Sequence, residues 1–378
     1  MRVLVALDKF KDALSATAAC TAVAEVFHER HPEWEIDVCP LTDGGEGFGE
    51  ILTHAARGHW EPVQVHGPLG LPVQAGVGLV PTEHLSPLVC DQLALPATGS
   101  LAVLEMAAAS GLMLVPPAHR NPWLASSAGT GELLQHAARL GAGTILLGVG
   151  GSATNDLGLG ALAALGFSFF RSSGERVFNP VPREWELITR IEAPVLRLPP
   201  IFIACDVTSP LLGPTGATFT FGPQKGLAPA EGPRLEAQAA RLAVLLSEAC
   251  GRPLALSELP GAGASGGIAF GLMTACGAHL VPGFDLVSGW LDLPDRLAAA
   301  DLVLTGEGRF DATSLAGKGP GRVIAEAQQL GKRVEVFAGR IDLPASSHLH
   351  AITPPGVSLA DALPRTAEWL AAAVARVF

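Results

Sequence analysis

The apolar positions of the chain open in a strand-then-helix rhythm. A short unbroken run, Val3 to Leu7 (VLVAL), reads as a buried strand, and the apolar positions after Ser15 recur with helical spacing to about Glu29. Ser15 is suited to cap that helix, because its hydroxyl can accept from an orphan N–H of the first turn. A second strand covers Ile36 to Cys39. The glycine-rich turn Asp43–Gly47 then opens a helix ending near Gly58. Such alternation builds parallel sheets with helices on their faces.

The rhythm changes near residue 60. Residues 61–95 read as short extended segments broken by Gly and Pro, and helical stretches are predicted at about 101–110 and 127–140. A strand at Thr144–Gly148, a glycine loop and a helix near 156–165 follow. The Pro-rich piece 178–200 reads as a loop, Ile201–Cys205 as a strand, and about 229–250 as a long amphipathic helix. The segment Gly261–Gly267 (GAGASGG) leads into another helix. From Asp301 the opening grammar returns, with strands at Asp301–Thr305 and Arg333–Ala338 and helices at about 319–330 and 359–376. The matching ends predict an α/β protein in which a Rossmann-like parallel-sheet domain, residues 1–62 plus 290–378, is formed by both termini. An inserted α/β domain, residues 63–289, completes it, with an interdomain cleft. A length of 378 residues agrees with about two domains.

Composition narrows the function classes. With 48% hydrophobic and 16% charged residues the chain can build large cores and is not a disordered sequence. A net charge of −11 with no basic block argues against a nucleic-acid partner. The six cysteines lack a C-x-x-C pair and sit among apolar neighbours, as in a reducing compartment. The amino-terminal apolar run is too short for a signal peptide, and no apolar stretch reaches the roughly 20 residues that span a bilayer. A cytoplasmic location without a membrane partner is expected. The absence of tyrosine excludes a tyrosine base.

Five segments join glycine to charged or hydroxyl side chains: Asp8–Lys11, Asp43–Gly47, Gly148–Gly160 (GVGGSATNDLGLG), Phe221–Gly226 (FGPQKG) and Thr305–Lys318. Several follow the carboxyl end of a predicted strand, the edge where open α/β sheets bind ligands. The segment GVGGSATND suits an anion. Gly150 and Gly151 let backbone N–H groups approach it, Ser152, Thr154 and Asn155 add neutral donors, and a helix amino end follows. The chain has 20 arginines and only five lysines, and Lys9, Lys11, Lys225 and Lys318 all lie in these segments. A lysine suits a phosphate as a point charge. Asp43, Asp206, Glu307 and Asp311 sit after strands or in glycine turns, where they could hold Mg2+ or orient an attacking hydroxyl. Asp206 follows the strand IFIAC directly and is the leading candidate for base or metal ligand. There is no G-x-x-x-x-G-K-[ST] loop. Loose dinucleotide patterns at Gly148–Ala153 and Gly261–Gly266 keep open a nicotinamide oxidoreductase, and phosphate-binding turns alone would also suit a non-catalytic metabolite sensor.

The order DKFKDALSA, TDGGEG, GVGGSATND, CDVTSPLLGPTGAT, FGPQKG and TGEGRFDATSLAGK resembles that of the two-domain bacterial glycerate kinases of type I, over nearly the whole chain. The resemblance implies transfer of the γ-phosphoryl of ATP to D-glycerate with Mg2+, usually giving 2-phosphoglycerate, in glyoxylate and glycerate metabolism. Within that frame the ATP phosphates are expected on Gly150, Gly151, Ser152, Thr154, Asn155 and Lys225. Lys11, Asp43 and Asp206 are expected to act in catalysis, and Lys9, Arg309 and Lys318 on glycerate. Asp206, Glu307 and Asp311 are the expected metal ligands. D-Glycerate and ATP are the expected partners, with a homodimer as the candidate assembly. The chain departs from the family pattern at Lys9 (Ser is common), Asp12 (Gly), Thr42 (Ala), Leu157 (Gly), Ser209 (Asn) and Gly319 (an apolar residue). Lys9 matters most, because it would add a cation to the site.

Overall fold

Val3, Val5 and Leu7 alternate with Leu4 and Ala6, and all five are fully buried, so the first strand is covered on both faces. The helix after it begins where expected: the Ser15 hydroxyl accepts from the Ala18 N–H at 3.2 Å and Ala16–Arg30 is helical. The computed structural model describes residues 1–315 and 319–378; Lys318 lies outside the described residues. In chain order the strands are β1 (Arg2–Leu7), β2 (Glu35–Val38), β3 (His59–His66), β4 (Pro72–Pro81), β5 (Ser100–Glu105), β6 (Thr144–Gly148) and β7 (Ser168–Phe170). They continue with β8 (Arg176–Val177), β9 (Arg190–Glu192), β10 (Ile201–Ala204), β11 (His279–Val281), β12 (Leu302–Phe310), β13 (Arg333–Ile341) and β14 (Leu349–Ala351). The chain divides into two units: unit 1 is Met1–Asp43 with Val287–Phe378, and unit 2 is Gly44–Leu286.

Unit 1 holds a five-stranded parallel sheet in the order β14-β13-β12-β1-β2. This is a doubly wound order of the 2-1-3-4-5 type, in which the winding reverses between β1 and β12. Val3, Val5, Leu7, Leu302, Leu304 and Phe337 form one core with Val23 and Phe27 of the first helix and Leu370 and Val374 of the helix Thr366–Val377. Helices Leu293–Ala299 and Gly319–Gln329 contact β1 and, for the second, β12 and β13 as well.

Unit 2 has a six-stranded sheet in the order β11-β10-β6-β5-β4-β3, parallel from β11 to β5 and antiparallel at the β5-β4-β3 edge. A small antiparallel sheet, β8-β7-β9, packs with the buried Trp185 into the same core as helices Ala128–Arg139, Gly232–Cys250 and Ala264–Cys276.

Two features differ from the sequence pattern. Residues 101–105, expected in a helix, are strand β5, because they pair with β4 on one side and β6 on the other; the helix is only Met106–Ser110. The first break between units lies after residue 43 rather than 62. The helix Phe48–Ala55 packs on β4 and β5, and β3 pairs along its whole length with β4, which draws residues 44–62 into unit 2.

Leu304 is fully buried in the middle of the unit 1 sheet. Leu304→Ala is expected to cost about 2–5 kcal/mol through lost burial and an unfilled cavity, read as a lower urea midpoint with the helical circular dichroism of the native state retained.

Candidate active site

The winding of unit 1 reverses between β1 and β12, and the carboxyl ends of those strands carry charged residues. The Asp8 carboxylate accepts from the Lys9 N–H at 2.7 Å, and the Asp8 N–H bonds Gly306 of β12. The Lys9 ammonium lies 3.1 Å from Asp43. Burial and the nearby Asp43 push the Asp8 carboxyl up to about 7; Lys9 pulls it down and Glu307 adds to the rise. The expected residues Lys9, Asp43 and Glu307 therefore share one electrostatic environment with Asp8. Lys11, two residues on, has an exposed side chain with no ion pair among the described residues.

Arg309 lies near the carboxyl end of β12, and Asp311 follows the strand. The Arg309 Nε donates to Asp342 at 2.7 Å and lies 3.6 Å from Asp311, while its terminal nitrogens make no hydrogen bond among the described residues. Asp311 accepts from the Thr313 N–H and hydroxyl at 2.8 and 2.6 Å, which holds its carboxyl below the usual range and starts the short helix Ala312–Leu315.

In unit 2 the glycine turn follows β6. Gly151 has a φ of 69°, and an added Cβ there would lie 2.5 Å from the Glu46 carboxylate. The turn's backbone is partly committed: the Gly150 N–H bonds Gly44, and the Ala153 N–H bonds Ser110. The N–H groups of Gly151, Ser152, Thr154 and Asn155 make no hydrogen bond among the described residues. The Thr154 hydroxyl and the Asn155 side-chain oxygen are also buried without a partner among them. A cluster of unspent backbone donors after a strand is the arrangement that receives an anion.

Lys225 is fully buried. Its ammonium donates to the Ser152 hydroxyl at 2.9 Å and to the Thr154 carbonyl at 2.5 Å. It thus braces the turn from behind. Burial pulls its pKa down to about 7, against the opposing effect of Asp156. Asp156 accepts from the Ser127 N–H and hydroxyl, both at 2.8 Å, and from the N–H groups of Gly158 and Gly160. The segment GAGASGG is a second brace. Gly266 has a φ of 74°, and a Cβ there would fall 2.1 Å from the Thr154 carbonyl. Its resemblance to a dinucleotide turn thus coincides with a packing need.

Asp206 follows β10, and both its carboxylate oxygens accept from the Phe284 N–H, at 3.0 and 2.9 Å, at the start of the helix Gly283–Trp290. Sequence reasoning singled out neither Asp156 nor Glu105, and it left Asp8 without a role. Glu105 ends β5, is buried, accepts from the Gly49 N–H at 2.9 Å, and is pushed up to about 7 by burial. An acid closing an apolar run, as in SLAVLE and VLVALD, is the signal that marks Glu105 and Asp8.

The Lys225 pKa gives a signed test. It is about 7 in the folded chain against an ordinary 10.5, so between those values the unfolded chain binds the extra proton. Stability therefore rises with pH across that window. In Lys225→Met that rise is expected to flatten, read from urea midpoints at several pH values, and the variant is destabilised near neutrality because the Thr154 carbonyl loses its donor.

Comparison with known proteins agrees with these features. The family model described as "Glycerate kinase family" matches residues 3–378. A glycerate kinase of Haemophilus influenzae is 38% identical over 346 residues, covering 90% of this chain and 86% of the relative. A glycerate 2-kinase of Escherichia coli K12 is 36% identical over 362 residues, covering 93% and 89%. A solved structure of a candidate glycerate kinase 2 from Salmonella typhimurium LT2 superposes with a TM-score of 0.74 at 37% identity, covering 100% of this chain and 97% of that one. A carboxylate cluster at the switch point, an anion-shaped turn and similarity over the whole length converge: the chain belongs to the glycerate kinase family.

Proposed function

We propose that the protein transfers the γ-phosphoryl of ATP to the 2-hydroxyl of D-glycerate, giving 2-phosphoglycerate and ADP. The observation that carries this reading is the glycine turn of unit 2, with four N–H groups unspent among the described residues and its ammonium brace, in a member of this family. The Escherichia coli relative is named a glycerate 2-kinase, which supports the 2-position.

Phosphoryl transfer demands positioning and charge stabilisation more than covalent chemistry. Gly151, Ser152, Thr154 and Asn155 would receive phosphoryl oxygens, with Lys225 setting the turn's shape. Lys11 would neutralise charge on the nucleotide, and Arg309 offers its terminal nitrogens to a carboxylate or phosphate. Mg2+ takes one or two carboxylates together with substrate phosphates, so the hard oxygen donors Asp43 and Glu307 fit it without a closed protein cage. Among the described residues no cluster of three or more acidic, His or Cys side chains forms such a cage. When bound, the ion would offset phosphate charge. Asp8 would take the hydroxyl proton, since a carboxyl near 7 is matched to neutral pH. Asp206 remains a proposed partner for the acid's hydroxyl, held rigid by its bonds to Phe284.

Steady-state ADP release tests the reading. Release is expected only when D-glycerate, ATP and Mg2+ are all present, and Lys11→Ala is expected to lower kcat by roughly 10²–10³-fold, the loss typical of one charge-stabilising donor. Release that ignores the acid would sink the proposal, and wild-type turnover in Lys11→Ala would remove that lysine from it.

A further inference from the structure

Unit 1 contains a cavity of about 720 Å3 at the carboxyl edge of β12, β13 and β14, lined wholly by residues of that unit. Its size lies in the range of cofactor sites, about 300–1,000 Å3, and far exceeds the needs of a three-carbon acid. Its lining includes the apolar Ile341, Val357, Leu359 and Leu363 and the cations Lys11, Arg309 and Arg340, with no acidic residue among the described residues that line it. Asp342 holds both arginines, accepting from Arg309 at 2.7 Å and from Arg340 at 2.6 Å, which fixes their guanidinium groups.

An added Cβ at Gly339 would lie 2.5 Å from the Gly308 carbonyl, and one at Gly308 would lie 3.0 Å from the Lys11 nitrogen, so glycine lets β12, β13 and the segment after β1 pack closely beside the cavity. The cavity also adjoins the point where the winding reverses, because Phe10 and Lys11 follow β1 and Gly308 lies in β12. Doubly wound sheets of this order bind nucleotides there.

We propose that this cavity binds the nucleoside of ATP and ADP, with the base against Ile341, Val357 and Leu363 and the phosphates leaving past Lys11 and Arg309. This rests on the kinase reading above and locates its nucleotide.

Two variants test the site with ADP as the calorimetric probe. Val357→Trp fills part of the cavity and is expected to weaken ADP binding and raise the KM for ATP by at least about tenfold, with the KM for D-glycerate unchanged. Leu359→Glu places an anion at the mouth and is expected to raise the KM for ATP several-fold, less so in high salt. Leu359 is 73% exposed, and an acid in a helix's first turn is favourable, so this variant keeps the test valid if Val357→Trp does not fold. A wild-type chain that binds no ADP, or a folded variant that binds it as the wild type does, overturns the site. Normal ADP binding that both variants weaken, in a chain that phosphorylates no glycerate, upholds the site and removes the kinase reading instead.

Discussion

A buried polar network holds the glycine turn of unit 2, and the chemistry read from that unit depends on it. Asp156 spends its carboxylate on four donors from two loops, and Lys225 spends its ammonium on the turn itself. Both groups are buried, and leaving a buried donor or acceptor unsatisfied typically costs about 1–3 kcal/mol. The network therefore favours one shape of the turn over its alternatives. That shape leaves the N–H groups of Gly151, Ser152, Thr154 and Asn155 unspent among the described residues, while those of Gly150 and Ala153 are bonded to Gly44 and Ser110. The left-handed run Ser265–Gly267 packs on the same turn, so glycine is required there for closeness rather than for ligand contact.

Unit 1 solves a different problem. Its sheet order brings Asp8, Lys9 and Glu307 to one crevice with Asp43, because β1 and β12 are adjacent although some three hundred residues separate them in sequence. Three carboxylates near one lysine make a field that favours added positive charge or a retained proton. The rise of the Asp8 carboxyl to about 7 is a consequence of that crowding and of burial. Lys9 offsets part of this field through Asp43 and so has an electrostatic role inside the cluster.

Much of this was legible in the sequence. Strands such as VLVAL and TILLG announce themselves by unbroken apolar runs between turn signals, and Ser15 caps its helix as its position suggests. The segment LAVLEMAAAS did not read correctly, because its residues favour helices and a fully buried strand shows no alternation; only pairing with β4 and β6 decides it. The break at residue 43 was hidden for a similar reason, since the helix Phe48–Ala55 belongs to whichever sheet its apolar face meets. At the site, glycine and lysine carried a signal through their company in the sequence. Asp8 and Glu105 were marked only by an acid closing an apolar run, and Asp156 by nothing local, because the importance of all three comes from burial and from partners distant in the chain.

Unit 1 carries a charged crevice and unit 2 an anion-shaped turn, in a chain that belongs to the glycerate kinase family. The most direct test is NMR of the product formed from D-glycerate labelled with 13C at carbon 2. A new 31P resonance with two-bond coupling to the labelled carbon, growing in step with ADP, is the expected result. A resonance coupled instead only through carbon 3, or inorganic phosphate with unchanged glycerate, would contradict phosphorylation at the 2-hydroxyl.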